Sequence, residues 1–248
     1  MKAIKEHRQG TEFAVQEALL HAYNECFKNA RLGGWPQAEA SFGLVARLSE
    51  RMLGRNSPTA LIALAKVGWT LIRQSKFEDA KAVLQDTLDR MRNPETQGVQ
   101  YVDTLVTASD LGCVLEALGD HAGAIDVLWN IPETLTARIG SSSFDTIVAR
   151  SRLGASLMGA ERYRDAEQYL RLGWEQWRDG RGATYSSTLS CLTDLGRVLG
   201  KLGRYDEAVE KLTVALNGRE NTLPAGHPLI QETRLALLEV QRESGQVP

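Results

Sequence analysis

The residue types that most often perform catalysis are few and scattered along this chain. The histidines stand far apart in sequence: they are His7, His21, His121 and His227. No two of them share a spacing suited to metal binding or to acid–base work. Cys113 precedes Glu116 by about one helical turn, but no histidine accompanies the pair to activate the thiol. The sequence therefore predicts no catalytic residue, no metal site and no cofactor.

Other side chains are better suited to binding than to catalysis. Tryptophan, tyrosine and arginine concentrate binding energy at protein interfaces. Arg197 and Lys201 stand four residues apart, so a helix would place them on one face. Such a pair suits a carboxylate or a phosphate, and it equally suits a solvated surface. The helices that carry these residues decide which of them act together.

These helices come from one repeated unit, whose clearest copy runs from Leu189 to Leu216. Apolar residues recur at helical spacing on both sides of Gly203, which closes the first helix. Gly196 and Ala208 lack bulk at the point where two antiparallel helices must approach closely. This copy therefore predicts two amphipathic helices joined by a tight turn.

The same pattern recurs at intervals of 42 or 44 residues. The small residue of the crossing becomes Gly154, Gly112 and Gly68 in earlier copies, and Cys26 in the first one. This self-similarity predicts one continuous domain of stacked helix pairs with an unpaired helix at the end. The predicted repeats span about 11–53, 57–92, 99–139, 142–178 and 183–221, and the capping helix spans 227–244.

Two local features modify this plan. Pro132 falls inside the second helix of the third copy, where it removes a hydrogen bond, so we expect a break near Asn130. The residues before Thr11 are polar, and we expect them to be frayed, with the first helix capped by Thr11.

The pattern Leu-Gly-x-x-Leu followed by Gly-Arg-Tyr-x-x-Ala resembles the tetratricopeptide repeat. The 42-residue period and the loops at 53–59 and 223–228 are similar to the kinesin-light-chain type of that repeat. The resemblance implies an all-α, right-handed superhelical solenoid of helix-turn-helix repeats. The Leu-Asn-Asn-Leu-Ala run of kinesin light chains is replaced here, for example by Ser109-Asp110-Leu111-Gly112, so a motor cargo adaptor is not implied.

The resemblance also implies that one stripe of each first helix lines a concave groove. The stripe changes from aromatic, with flanking arginines, to small and polar, and then to charged. We predict an aromatic-anchored peptide site in which Trp69→Ala weakens binding; the alternative is that the residues before Thr11 cover the aromatics. The predicted binding residues are Tyr23, Phe27, Arg31, Trp69, Ile72, Arg73, Cys113, Glu116, Met158, Arg197 and Lys201.

Chaperone-binding repeat proteins hold two carboxylates in a clamp of lysines and asparagines in this groove. The resemblance places the clamp positions at Tyr23, Phe27, Lys66, Val106 and Asp110. Because only Lys66 has the required charge, a clamp of that type is not implied.

Composition excludes several classes of ligand. The chain has 248 residues, 43% of them hydrophobic, and a formal net charge of −2, whereas nucleic-acid binding requires a basic surface. No apolar run suits a signal peptide or a membrane span. The odd number of widely spaced cysteines is typical of free thiols in a reducing compartment, so we expect a cytoplasmic protein.

These patterns favour a non-catalytic interaction module that binds a protein or peptide segment in the groove. One alternative is a self-associating scaffold or homodimer, in which the last helix or the amino-terminal aromatics dock onto a second copy. Another alternative is a small-molecule binder or an enzyme that uses the polar middle of the groove.

Overall fold

A computed structural model describes the backbone of residues 2–30, 34–94, 96 and 100–245; the side chains of residues 2–9, 23, 26, 27, 29 and 30 lie outside the described set. The regular structure in these ranges is α-helical. The helices are α1 Lys2–Ala30, α2 Trp35–Leu53, α3 Pro58–Arg73, α4 Phe77–Arg92, α5 Tyr101–Ala117, α6 His121–Leu128, α7 Ile131–Ile139, α8 Phe144–Gly159, α9 Tyr163–Arg181, α10 Ser186–Lys201, α11 Tyr205–Thr222 and α12 Pro228–Glu243. Within these ranges, no helix combines the length and the hydropathy that a bilayer span requires.

Unit 1 comprises Met1–Leu118 and contains α1 to α5. Each helix contacts the next one along the chain, and α3 also contacts α1 and α5. Val15 of α1, Phe42 and Ala46 of α2, and Ala63 of α3 belong to one buried apolar cluster. Burial of these side chains therefore fixes how α1, α2 and α3 pack on one another.

Unit 2 comprises Gly119–Pro248 and contains α6 to α12. Here α6 and α7 pack on α8, and each later helix packs on its successor. Leu128, Leu153, Leu170, Leu195 and Leu212 are fully buried, one from each of five helices. The prediction of one continuous domain across both units stays a prediction.

Glycine allows close contact where paired helices cross. A Cβ added at Gly196 would lie 2.6 Å from Cγ of Leu212 and 3.4 Å from the carbonyl oxygen of Ala208. Gly68 meets Leu84 in the same way, at 2.5 Å. The predicted close approach at Gly196 and Ala208 is therefore confirmed.

The turn between paired helices requires one residue with a positive φ. Gly203 takes this position with φ 77°, whereas Ser75 and Glu161 take it with φ 58° in other repeats. A backbone bond from the amide of Arg204 to the carbonyl of Leu199, 3.0 Å long, closes the turn. Glycine adopts this conformation without steric cost, which explains why it recurs there.

The predicted helix boundaries agree with the structure to within a few residues except at the amino terminus and in α11, which continues to Thr222 where the sequence predicts an end near Asn217. The break predicted from Pro132 is confirmed, since α6 ends at Leu128 and α7 begins at Ile131. The prediction of a frayed segment before Thr11 is wrong, because α1 already begins at Lys2. Most residues of that segment have good helix propensity, and propensity is sufficient there without an apolar stripe.

Candidate binding groove

Side chains from α1 and α3 line an apolar pocket in unit 1. The pocket has a volume of about 230 Å³ and is lined by Gln16, Leu19 and Leu20 of α1 with Ile62 and Lys66 of α3. Small-molecule sites usually have volumes of roughly 300 to 1,000 Å³. The pocket is therefore better matched to one apolar side chain of a partner than to a free ligand.

A narrower polar cleft adjoins this pocket through Ile62 and Lys66, which line both. The cleft lies between α3 and α5, has a volume of about 20 Å³, and includes Asp103 and Asp110. That volume holds about one water molecule and no side chain. Apolar contact and polar groups thus lie next to each other on one face of unit 1, as peptide recognition requires.

The aromatic end of the predicted site contributes to packing within unit 1. Trp69 is half-buried, packs against the apolar cluster, and contacts Trp35 edge-on, with ring centroids 5.3 Å apart. The Arg73 guanidinium lies 5.1 Å from the Trp35 ring centroid, an arrangement that allows a cation–π contact. The side chains of Tyr23 and Phe27, and the whole of Arg31, lie outside the described residues.

The middle of the predicted stripe is half-buried. This describes Ile72 of α3, Cys113 and Glu116 of α5 in unit 1, and Met158 of α8 in unit 2. None of these four lines the apolar pocket or the polar cleft. Their role in binding stays a prediction.

The basic end of the stripe forms ion pairs within unit 2. Arg197 of α10 lies 3.1 Å from Glu232 of α12, and Lys201 donates a 2.6 Å hydrogen bond to Glu243 of the same helix. That hydrogen bond raises the pKa of Lys201. These basic groups hold α12 against α10, so an anionic ligand would have to compete with two carboxylates.

Tryptophans on the second helices pack within unit 2. Trp177 is 2% exposed and donates a 2.9 Å hydrogen bond to Oγ of Ser151. Trp174 lies between Arg178 and Lys211, which are 5.0 Å and 5.4 Å from its ring centroid. Trp177 therefore packs within its own helix pair, and Trp174 packs against α11 of the next pair.

The buried thiol of Cys191 is chemically inert in the folded chain. It donates to the carbonyl of Leu170 at 3.2 Å, and desolvation raises its pKa to about 12. A nucleophile requires the thiolate, which is scarce at neutral pH under these conditions. Across the described ranges, no group of three His, Cys, Asp or Glu residues could hold a metal ion.

Part of the pocket lining is predictable from the sequence. Ile62 stands seven residues before Trp69 and therefore lies on the same face of α3, a signal available from spacing alone. Leu19 and Leu20 have no comparable signal, because the residues of α1 that face α3 depend on how the two helices dock.

The tetratricopeptide repeat family model matches residues 145–221. No curated protein matches the chain by sequence.

Solved structures support the fold. BtubC (BKLC) from P. vanneervenii superposes with a TM-score of 0.63 at 17% identity, covering 86% of this chain and 85% of its own. A P. anserina protein with nearly identical TPR-like repeats, assigned as a kinesin light chain, gives 0.64 at 14% identity, with coverage of 82% and 95%. The assembly chaperone of RpL4, Acl4, gives 0.50 at 17% identity, with coverage of 93% and 84%.

These similarities confirm the predicted fold class, an all-α solenoid of helix-turn-helix repeats. Residues 145–221 match the tetratricopeptide repeat family, and the fold of the chain is similar to that of proteins with TPR-like repeats.

Proposed function

We propose that the chain is a non-catalytic interaction module that binds a segment of a partner protein in the groove of unit 1. The observation that carries this proposal is the apolar pocket between α1 and α3. Tetratricopeptide repeats commonly mediate protein–protein interaction. The RpL4 assembly chaperone, which has a similar fold, is named for its action on a protein.

The pocket can hold one apolar side chain of the bound segment, and the polar cleft lies beside that side chain. Leu20 is 61% exposed, so an apolar side chain entering the pocket would remove both itself and Leu20 from water. Full burial of one such side chain contributes about 1.5 to 3 kcal/mol. Lys66 lines both the pocket and the adjacent cleft, so polar groups lie beside the bound side chain.

The proposal includes a cytoplasmic setting and a protein ligand rather than nucleic acid or membrane. It also assigns no catalytic role to Cys113. The predicted groove residues Ile72 and Glu116 of unit 1 belong to the proposal as further contacts of the bound segment, and the role of Met158 in unit 2 stays a prediction.

The test selects peptides from a random phage-displayed library against the full chain and titrates them by fluorescence anisotropy. Leu20→Glu places a charge in the pocket without disturbing a buried residue, so we expect affinity to fall about tenfold or more. Leu235→Glu on α12 is the matched control, since Leu235 is 59% exposed and lies in unit 2. Equal affinity of the parent and Leu20→Glu for every selected peptide would contradict the proposal.

A further inference from the structure

The outward face of α2 carries a ridge of three apolar side chains. Leu44, Leu48 and Met52 follow one another at four-residue intervals, and their exposed fractions are 52%, 40% and 53%. Rows of this spacing form the ridges by which helices pack against one another. The opposite face of α2 already holds it in unit 1 through the buried residues Ala38, Phe42, Val45, Ala46 and Ser49.

The repeat itself does not require this ridge. The positions that correspond to Leu44 and Leu48 hold Asp86 and Arg90 in α4, where they form an ion pair of 3.0 Å. The position of Leu48 holds Gly218 in α11. The Leu44 position is also apolar and exposed in α9 and α11, where Leu172 and Val214 stand. The run of apolar residues through the Leu48 position therefore distinguishes α2 from α4, α9 and α11.

Positive charge flanks the ridge on one side. Arg47 and Arg51 are both exposed, and neither forms an ion pair within the described part of the chain. The carboxylates of α2 are already engaged, since Glu39 pairs with Lys76 at 3.2 Å and Glu50 with Arg90 at 2.9 Å. The face thus combines apolar contact with uncompensated positive charge.

We propose that an acidic amphipathic helix of a partner protein docks along α2. Its apolar residues pack between Leu44, Leu48 and Met52, and its carboxylates meet Arg47 and Arg51. The ridge extends over about 12 Å of helix axis, so roughly two to three turns of partner helix cover it. Each contact follows from the spacing of the ridge and from the sign of the flanking charge.

The surroundings of α2 favour a helix over a lipid surface. The neighbouring helix α4, joined to α2 through Arg90 and Glu50, exposes Glu78, Asp79 and Asp89. An anionic bilayer would be repelled by these carboxylates, whereas a helix about 10 Å wide covers α2 alone.

The experiment displays a library of single helices with randomised outer positions and selects binders to the full chain. We expect the enriched helices to combine apolar residues at four-residue spacing with Asp or Glu on one edge. Leu48→Asp and the double variant Arg47→Glu/Arg51→Glu should each weaken their binding about tenfold or more. A lysine-for-acid version of the helix should bind the double variant better than it binds the parent.

Two controls separate this face from the groove. Leu172→Asp changes a 43% exposed leucine at the position in α9 that corresponds to Leu44, and it should leave binding unchanged. Leu20→Glu, which disables the proposed groove, should also leave helix binding unchanged. Failure of either proposal is therefore visible without failure of the other.

Three results would overturn the inference. One is a selected set without acidic preference, or one that binds Leu48→Asp as tightly as the parent. Another is a concentration-dependent dimer in sedimentation that Leu48→Asp abolishes, which would assign the face to a second copy. The last is adsorption to phosphatidylserine vesicles that Leu48→Asp abolishes, which would assign it to a membrane.

Discussion

Gly154 shows how one residue sets the distance between paired helices. A Cβ added there would lie 2.8 Å from Cγ of Leu170 and 3.2 Å from its backbone nitrogen. The first neighbour is a flexible side chain, but the second is backbone of α9 and cannot yield without moving the helix. The absence of a side chain therefore determines how closely α8 and α9 pack.

We expect Gly154→Ala to destabilise the fold by about 1 to 3 kcal/mol, because it overpacks this crossing. Gly180 is the matched control, since it lies in α9 with no atom within 4 Å of an added Cβ. Gly180→Ala should stabilise by roughly 0.5 to 1 kcal/mol through helix propensity. Urea denaturation measures both changes, and a Gly154→Ala variant as stable as the parent would refute this account of the crossing.

Cys191 links burial to the pH dependence of stability. Its pKa is raised from 9.0 to about 12 by desolvation, so the unfolded chain loses this proton at a lower pH than the folded chain does. The stabilising contribution is complete below pH 9 and is lost as pH rises toward 12.

Raising the pH from 9 to 10.5 should therefore lower the free energy of unfolding by about 1 to 2 kcal/mol more in the parent than in Cys191→Ala. The variant removes the thiol while keeping the other titrating groups. Denaturation curves at the two pH values give the comparison. Equal losses in parent and variant would show that Cys191 keeps a normal pKa.

At the scale of helices, α12 is held in place by a buried arginine. Arg219 of α11 is 2% exposed and donates to the carbonyl of Leu229 at 2.6 Å and to Oγ1 of Thr233 at 2.5 Å. A third bond of 3.1 Å reaches Oγ of Ser190 in α10. Desolvation lowers the pKa of Arg219. The acceptors of these three hydrogen bonds are a carbonyl oxygen and two hydroxyl oxygens, and all three groups are neutral. One side chain thus joins three helices of unit 2.

Arg219→Met should destabilise unit 2 by about 2 to 4 kcal/mol, since it leaves buried acceptors without a donor. The matched control is Arg234→Met, because Arg234 also bridges α11 and α12 but forms an exposed ion pair of 2.6 Å with Glu220. Its loss should cost less than about 1 kcal/mol. Hydrogen exchange of the α12 amides should be faster in Arg219→Met than in Arg234→Met. Equal protection of α12 in the two variants would disprove the role of Arg219 in holding this helix.

Helix boundaries were largely predictable from the sequence because they depend on local signals. Pro228 and Pro132 each mark a helix start, and the capping helix was found as Pro228–Glu243. The beginning of α1 was not predicted, because the polar segment before Thr11 has good helix propensity but no apolar stripe that would indicate a helix.

The candidate site was less predictable because it depends on contacts between distant segments. Trp69 was correctly placed on α3, but nothing in its spacing revealed the ring of Trp35 beside it. The basic pair Arg197 and Lys201 was correctly placed on one face, but the carboxylates that engage it come from α12. The periodicity of a sequence predicts which residues share one face of a helix, but it does not predict which residues of another helix contact that face.

At the scale of the whole molecule, both of the binding surfaces that we propose lie in unit 1. One is the groove with its apolar pocket between α1 and α3, and the other is the ridge on α2. The basic residues of α10 in unit 2 are engaged by α12 instead. We propose above all that a partner segment anchors in the pocket of unit 1.

Hydrogen exchange of the full chain, with and without a saturating groove-selected peptide, tests this claim most directly. We expect slower exchange in the parts of α1 and α3 that contain Leu19, Leu20, Ile62 and Lys66, with the exchange of α10 to α12 unchanged. Protection confined to unit 2, with none in α1 or α3, would contradict it.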